Sequence, residues 1–169
     1  LINRFYLPLF LHLHNQVSKA DHSPYIIGIN ALQGGGKSTL TSYLVQLFED
    51  CELSAVTLSI DDFYHIRDRQ IQIANENPEN IYLQQRGYPG THDIELGIEI
   101  LSSLKIPNSI ESISLPRYDK SKHQGQGDRA NKEQWPEVKL PINVVLLEGW
   151  MLGFQSLSSD LISDKNLLN

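Results

Sequence analysis

Residues Tyr25–Leu40, YIIGINALQGGGKSTL, constrain what this chain can fold into more than any other stretch. The apolar run Tyr25–Ile29 suits a strand buried in a parallel sheet. Gly34, Gly35 and Gly36 permit a tight turn whose backbone N–H groups converge inward. Lys37 adds one positive charge on a flexible stem, and Ser38 adds a hydroxyl suited to Mg²⁺. The pattern from Ser38 to Phe48, running on to about Glu49, predicts a helix. A helix that opens from such a turn offers unpaired N–H groups and a positive dipole end, which favours phosphate. Strand, glycine turn and helix in this order predict a phosphate cradle of the GxxxxGK[ST] kind, with Ala31 where that pattern begins with glycine. Alanine fits there if its φ is negative. The plainer alternative is a glycine turn ahead of an ordinary surface helix.

What lies downstream of the loop decides between them. Leu40, Tyr43, Leu44 and Leu47 recur at helical spacing and predict a face packed on a sheet. Leu53–Ile60 reads as a second strand, so the expected unit is strand, helix, parallel strand with a right-handed crossover. That strand runs into Asp61-Asp62-Phe63-Tyr64. In an open parallel sheet the C-terminal strand ends face one crevice, so these carboxylates are expected near the bound phosphate. A carboxylate there can take a proton from an acceptor hydroxyl or help hold Mg²⁺. Asp61 is the first choice and Asp62 the second, with a simple strand-end turn as the alternative. Phe63 and Tyr64 are expected to shape the pocket wall. Ile142–Leu147 predicts another buried strand, and Glu148 at its end is the expected second Mg²⁺ element. Gly149–Phe154 is expected to turn away from the site, with its aromatic residues in packing roles.

The remaining segments carry weaker signals. Asn3–Val17 predicts a short amphipathic helix, and residues 1–20 are expected to form an N-terminal helical extension to a domain over residues 21–169. His12 and His14 are two apart and share no helix face, which argues for surface or packing roles rather than metal binding. His65–Asn80 is polar and expected to be partly helical. Arg86–Asp93, RGYPGTHD, is a dense turn signal with Thr91 or Asp93 placed to cap the next helix. Ile94, Ile98, Leu101 and Leu104 are expected on that helix's buried face. Arg86 suits an anionic substrate and is nearly as well read as a surface arginine. His92 is balanced between substrate contact and a cap or packing role. Ile113–Leu115 predicts a short strand. Pro116–Arg129 then reads as a long polar loop in which Tyr118, Asp119, Lys120 and Arg129 are candidates for substrate or phosphate contact, or are simply solvated.

Composition narrows the class. The 169 residues suffice for one domain with a core. Fourteen basic and 20 acidic residues give a net charge of -6, which argues against a nucleic-acid surface beyond a local patch. One cysteine, Cys51, leaves no internal disulfide and fits a reducing, cytoplasmic setting. Leu7–Leu13 is too short to span a bilayer, and no secretory signal is evident. The first residue is Leu, and the chain from Gln155 onward has no evident closing element, so a piece of a longer product is expected, incomplete at its C-terminus.

These parts imply a small-molecule kinase. Backbone N–H groups of Gln33–Lys37, with Ala31 and Thr39 in the same loop–helix unit, hold ATP phosphates together with Lys37. Ser38, Glu148 and Asp61 serve Mg²⁺, and Asp61 orients or deprotonates the acceptor hydroxyl. Five segments in order then resemble a known group: GINALQGGGKSTL, SIDDFY, RGYPGTHDIELG, LPRYDKSKHQGQGDRA and LLEGWMLGF. They are similar to the phosphoribulokinase and uridine kinase-like P-loop kinases, and within them to the D-glycerate 3-kinases of plant and cyanobacterial type. The resemblance implies a P-loop NTPase fold, a mostly parallel sheet with helices on both faces in three α/β/α layers. It implies ATP and Mg²⁺ as reactants and D-glycerate, or a similar small molecule, as acceptor. It implies nucleotide and Mg²⁺ roles for Lys37 and Ser38, places Asp61 near the acceptor hydroxyl and Glu148 at the acidic strand end, and puts Tyr118, Asp119, Lys120, Asp128 and Arg129 on a shared signature. Asp62, Tyr64, Arg86, His92, Tyr118, Lys120 and Arg129 form the candidate acceptor-site set. The competing readings are a kinase for a nucleoside, pantothenate or ribulose phosphate, and a nucleotide-binding or ATPase module with no small acceptor.

Overall fold

A computed structural model describes residues 2–105 and 111–156. Its elements in chain order are α1 (Tyr6–Val17), β1 (Tyr25–Asn30), α2 (Lys37–Glu49), β2 (Ala55–Ser59), α3 (Arg67–Glu76), α4 (Ile94–Ser103), β3 (Ser112–Ser114), β4 (Tyr118–Asp119), β5 (Asp128–Arg129), β6 (Glu137–Lys139) and β7 (Val144–Gly149). The expected tail beyond Gln155 falls largely on residues 157–169, outside the described residues.

The central sheet has the order β1-β7-β2, all parallel. β1 and β2 run parallel, as the strand–helix–strand unit predicts, but they are not neighbours, because β7 lies between them. The reason is legible in β7 itself. Val144, Val145 and Leu146 are fully buried, and a run that is apolar on both faces belongs at the doubly covered centre. Alternate β7 side chains serve opposite layers. Val144 and Leu146 join Phe10 of α1, Leu44 and Phe48 of α2, and Ile27. Val145 joins Leu58, Phe63, Ile100, Leu104 and Leu115 on the other face. Helices thus cover both faces of a parallel sheet, the three-layer α/β arrangement expected of this sequence.

Two helix faces differ from the sequence reading. On α2 the buried line is Thr41, Leu44 and Phe48, while Tyr43 is exposed at the edge and packs on Tyr6 at 5.1 Å between ring centroids. On α4 the exposed residues are Ile94 and Ile98, and the buried line runs through Ile100 and Leu104 with Leu96 and Leu101 partly covered. Both α4 faces have apolar residues at helical spacing. The buried one is the face that joins Leu58, Phe63, Leu115 and Val145 in the core on that side of the sheet.

The expected loop Pro116–Arg129 is a hairpin, with Tyr118 opposite Arg129 and Asp119 opposite Asp128. β6, which the sequence reading did not foresee, pairs antiparallel with β3. Among the described residues no helix is long and apolar enough to cross a membrane.

Asp93 caps α4 by accepting from the Leu96 N–H at 3.1 Å. Asp93→Ala is expected to cost about 1–2 kcal/mol of stability, read by urea unfolding.

Candidate active site

β1 ends at Asn30, and the loop that follows is closed by Ala31 N donating to Gly149 O at 3.2 Å and Gly35 N donating to Leu32 O at 3.1 Å. Gly34 and Gly36 have φ of 75° and 78°, and Gly36 opens α2 in the left-handed conformation. An L side chain is strained at both positions. Ala31 is not among the residues with positive φ, so alanine at the first loop position costs the backbone nothing. Lys37 folds back over the loop, donating to Ala31 O at 3.0 Å and Leu32 O at 3.2 Å. Its Nζ lies 4.0 Å from Glu148 Oε2, with both side chains nearly buried. Glu148 stands in register with Ile29 on one side and Ser59 on the other. β7 thus sets a carboxylate between the glycine loop and the end of β2.

An open cavity of about 710 Å³ joins these groups. Gln33, Gly34, Gly36, Lys37, Ser38 and Thr39 line it together with Asp61, Tyr64, Arg86, Lys120 and Glu148. Ala31 and Gly35 lie behind this lining as loop backbone. Among the described residues no cluster of three or more His, Cys, Asp or Glu could hold a metal ion alone. The oxygens of Ser38 and Glu148 on the cavity fit Mg²⁺, which is commonly bound by one or two protein oxygens plus substrate phosphates and water.

The two aspartates after β2 divide their work. Ser59 and Asp62 form a reciprocal cap on the turn Ile60–Phe63, with Asp61 N donating to Ser59 Oγ and Ser59 N donating to Asp62 Oδ2, both at 3.3 Å. Asp62 also accepts from Tyr118 N at 3.1 Å and from Arg117 at 3.2 Å. Its carboxylate is occupied in fastening the β4–β5 hairpin and does not line the cavity. Burial pushes the Asp62 carboxyl above its ordinary value, against the pull of Arg117. Asp61 instead faces the cavity, where Lys120 Nζ donates to its Oδ2 at 2.6 Å.

Four other expected contacts sit differently. Arg129 donates to Tyr64 O at 2.7 Å and Asp93 Oδ2 at 2.9 Å, which ties β5 to the α4 cap away from the cavity. Tyr118 packs edge-on against Tyr64 at 5.3 Å and lies under the Arg86 guanidinium. Arg86 is at the cavity rim, but its NH1 donates to Gly125 O and Gln126 O. His92 stacks on Tyr64 at 4.5 Å from beneath, so it supports the pocket wall and does not line it. Tyr64 itself is buried, and burial with the nearby Asp61 carboxylate pushes its phenol far above the ordinary value, so it stays protonated.

Trp150 and Gly87 are cavity residues that the sequence reading missed. Trp150 does not turn away. Its Nε1 donates to Gly87 O at 3.2 Å and pins the RGYPG turn to the end of β7. An indole two residues beyond the acidic strand end was the available signal.

Burial holds His92 below its ordinary value, and its Nε2 has no partner among the described residues. The unfolded chain therefore takes up this proton first, and stability falls as pH drops below about 6.5. His92→Gln is expected to lose less stability than wild type between about pH 7.5 and pH 5, measured by urea unfolding at each pH. Equal losses would show that His92 does not carry the effect.

A glycine loop opening a helix, a lysine folded over it, an acidic strand end beside it and a carboxylate across the cavity define a P-loop kinase-type domain. No family model matches the chain. Individual relatives do. The chain is 41% identical over 167 residues to the chloroplastic D-glycerate 3-kinase of Arabidopsis thaliana, covering 94% of this chain and 37% of that protein. It is 40% identical over 146 residues to an uncharacterized kinase of Schizosaccharomyces pombe, covering 86% of this chain and 52% of that protein. Among solved structures it superimposes on a D-glycerate 3-kinase from Cryptococcus neoformans with a TM-score of 0.86 at 34% identity, over 98% of this chain and 59% of that one. The chain thus spans between about a third and three fifths of the length of these relatives. Over that span it is similar to D-glycerate 3-kinases and related P-loop kinases.

Proposed function

We propose that this chain carries the phosphate-binding and acceptor-binding part of an ATP-dependent kinase that converts D-glycerate to 3-phosphoglycerate. The observation that carries the reading is the placement of Asp61 across one cavity from Lys37, Ser38 and Glu148. A pure ATPase needs a group to position water, whereas a carboxylate at the acceptor end suits an alcohol. The sequence kinship favours glycerate as that alcohol.

The N–H groups of the glycine loop and the N-terminus of α2 bind the β- and γ-phosphates of ATP. Lys37 exchanges its loop carbonyls for phosphate oxygens. Ser38 and Glu148 would hold Mg²⁺, directly or through water, and the ion neutralises charge on the phosphates when bound. Asp61 accepts a hydrogen bond from the acceptor hydroxyl and aims its oxygen at the γ-phosphorus. A bond forms between that oxygen and phosphorus, the bond to the ADP oxygen breaks, and the hydroxyl proton passes to Asp61. Tyr64, backed by His92, walls the acceptor side, and Arg86 and Lys120 supply positive charge there.

The reading extends to organisation and setting. Residues 1–20 form a helical extension whose α1 packs Phe10 into the core, and the kinase domain begins at residue 21. The exposed free thiol of Cys51 suits a cytoplasmic location, with a small molecule rather than nucleic acid or membrane as partner.

The test is ADP release from ATP and Mg²⁺ by the 169-residue chain and by its full-length gene product, with D-glycerate, L-glycerate, uridine, pantothenate or no acceptor. Release that depends on D-glycerate is expected. Release indifferent to every acceptor would favour an ATPase, and release dependent on another alcohol would move the substrate.

A further inference from the structure

The cations at the cavity are not equally committed. Lys37 is held by two loop carbonyls, and the Arg86 NH1 by carbonyls of residues 125 and 126. Lys120 has one partner among the described residues, the carboxylate of Asp61. Its side chain is 60% exposed, so the stem is free to swing while the backbone behind it is fixed. The fixing comes from Asp62, which takes Tyr118 N and Arg117, and from Ser121, whose N and Oγ close on Asp119 at 2.9 and 2.6 Å. Asp61 and Asp62 thus form one device: the second holds the hairpin that brings Lys120 onto the first.

This pairing is awkward for a group that must receive an acceptor hydroxyl. The ammonium occupies Oδ2 of the carboxylate that the hydroxyl has to address. A neutral alcohol offers the ammonium nothing in return for leaving. An acceptor with a carboxylate close to its hydroxyl offers a second anion within the swing of the same stem.

We infer that Lys120 selects for hydroxy acids: it masks Asp61 until the acceptor's own carboxylate draws the ammonium away. Acceptor charge and access to Asp61 are then one event. The inference rests on the proposed kinase reading for its acceptor site, and it adds that the negative charge of the acceptor is a condition for engaging Asp61. A site built around a charge in this way rejects analogues that lack it far more strongly than a pocket that only measures shape.

Calorimetry with the 169-residue chain, saturated with a non-hydrolysable ATP analogue and Mg²⁺, tests this without turnover. The ligands are D-glycerate, L-glycerate, glycolate, and the neutral analogues glycerol and D-glyceramide. Wild type is expected to bind D-glycerate at least tenfold more tightly than either neutral analogue. Lys120→Met is expected to erase that preference, weakening D-glycerate at least tenfold while glycerol binds as well or better. Lys120→Arg is expected to keep most of it. The ¹³C signal of dimethylated Lys120, assigned by its loss in Lys120→Arg, is expected to shift with D-glycerate and not with glycerol. An undiminished preference in Lys120→Met would overturn the role of Lys120 and leave the glycerate reading intact. A Lys120-dependent preference for hydroxy acids in which another acid outbinds D-glycerate would support Lys120 and overturn glycerate. Binding of no hydroxy acid by wild type would overturn both.

Discussion

Asp61→Asn is expected to lower kcat by roughly 10²–10⁴-fold and to leave the affinity for ATP within about threefold of wild type. The substitution keeps the shape of the side chain, replaces one carboxylate oxygen by an amide NH₂, and removes its charge and its ability to take a proton. Asp61 lines the cavity, and its described contacts are to Ser59, Tyr64 and Lys120. None of these belongs to the phosphate cradle, so nucleotide binding has no reason to suffer. Stability should change little, because the ion pair with Lys120 is partly exposed and such pairs contribute about 0–1 kcal/mol. Asp62→Asn provides the contrast. It weakens the capping turn and the hairpin anchor, so it should lower stability and loosen acceptor binding. The measurements are kcat with D-glycerate and ATP affinity by calorimetry. Equal losses in kcat and ATP affinity for Asp61→Asn would remove the proton-acceptor assignment.

How much of this was legible before the structure depends on the kind of information involved. The loop Gln33–Ser38 and the strand ends at Asp61 and Glu148 were legible because local sequence determines them. Three glycines dictate a turn, and an apolar run ending in a carboxylate dictates where that carboxylate emerges. The order of the strands was not local. It depends on which run is buried on both faces, and β7 takes the centre only in competition with β1 and β2. The buried face of α4 was ambiguous for a similar reason. Ile94 and Ile98 fit the helical period as well as Ile100 and Leu104 do, and the choice falls to contacts with Leu58, Phe63, Leu115 and Val145, which come from distant parts of the chain. Polar side chains were hardest. Asp62 looked like a site residue because it follows a strand whose end faces the expected crevice, and Arg129 because it lies in a long polar segment. The structure occupies them with backbone groups and with each other's neighbours. Residue type shows that a charge needs a partner, but only the fold shows whether that partner is a ligand or a neighbouring segment.

Lys37→Met is expected to weaken ATP binding by roughly 10²–10³-fold and to lower kcat/KM at least as much. Among the described cations that line the cavity, the Lys37 ammonium is the one bonded to the glycine loop, and its partners there are neutral carbonyls that give way readily to phosphate. Because it would meet oxygens in the ground state and follow charge in the transition state, both binding and turnover depend on it. A purely structural loss must be separated from this. Lys37 and Glu148 are each about a tenth exposed, so removing the cation leaves a carboxylate without its nearest opposite charge, a cost of about 1–3 kcal/mol. The double variant Lys37→Met with Glu148→Gln removes that orphaned charge. Its stability should return toward wild type while ATP binding stays lost, and urea unfolding beside calorimetry reads the two quantities independently. Recovery of ATP binding in the double variant would mean that Lys37 shapes the loop through Glu148 rather than holding phosphate. Persistent instability with intact ATP binding would place the cation in the core of the fold and out of the site.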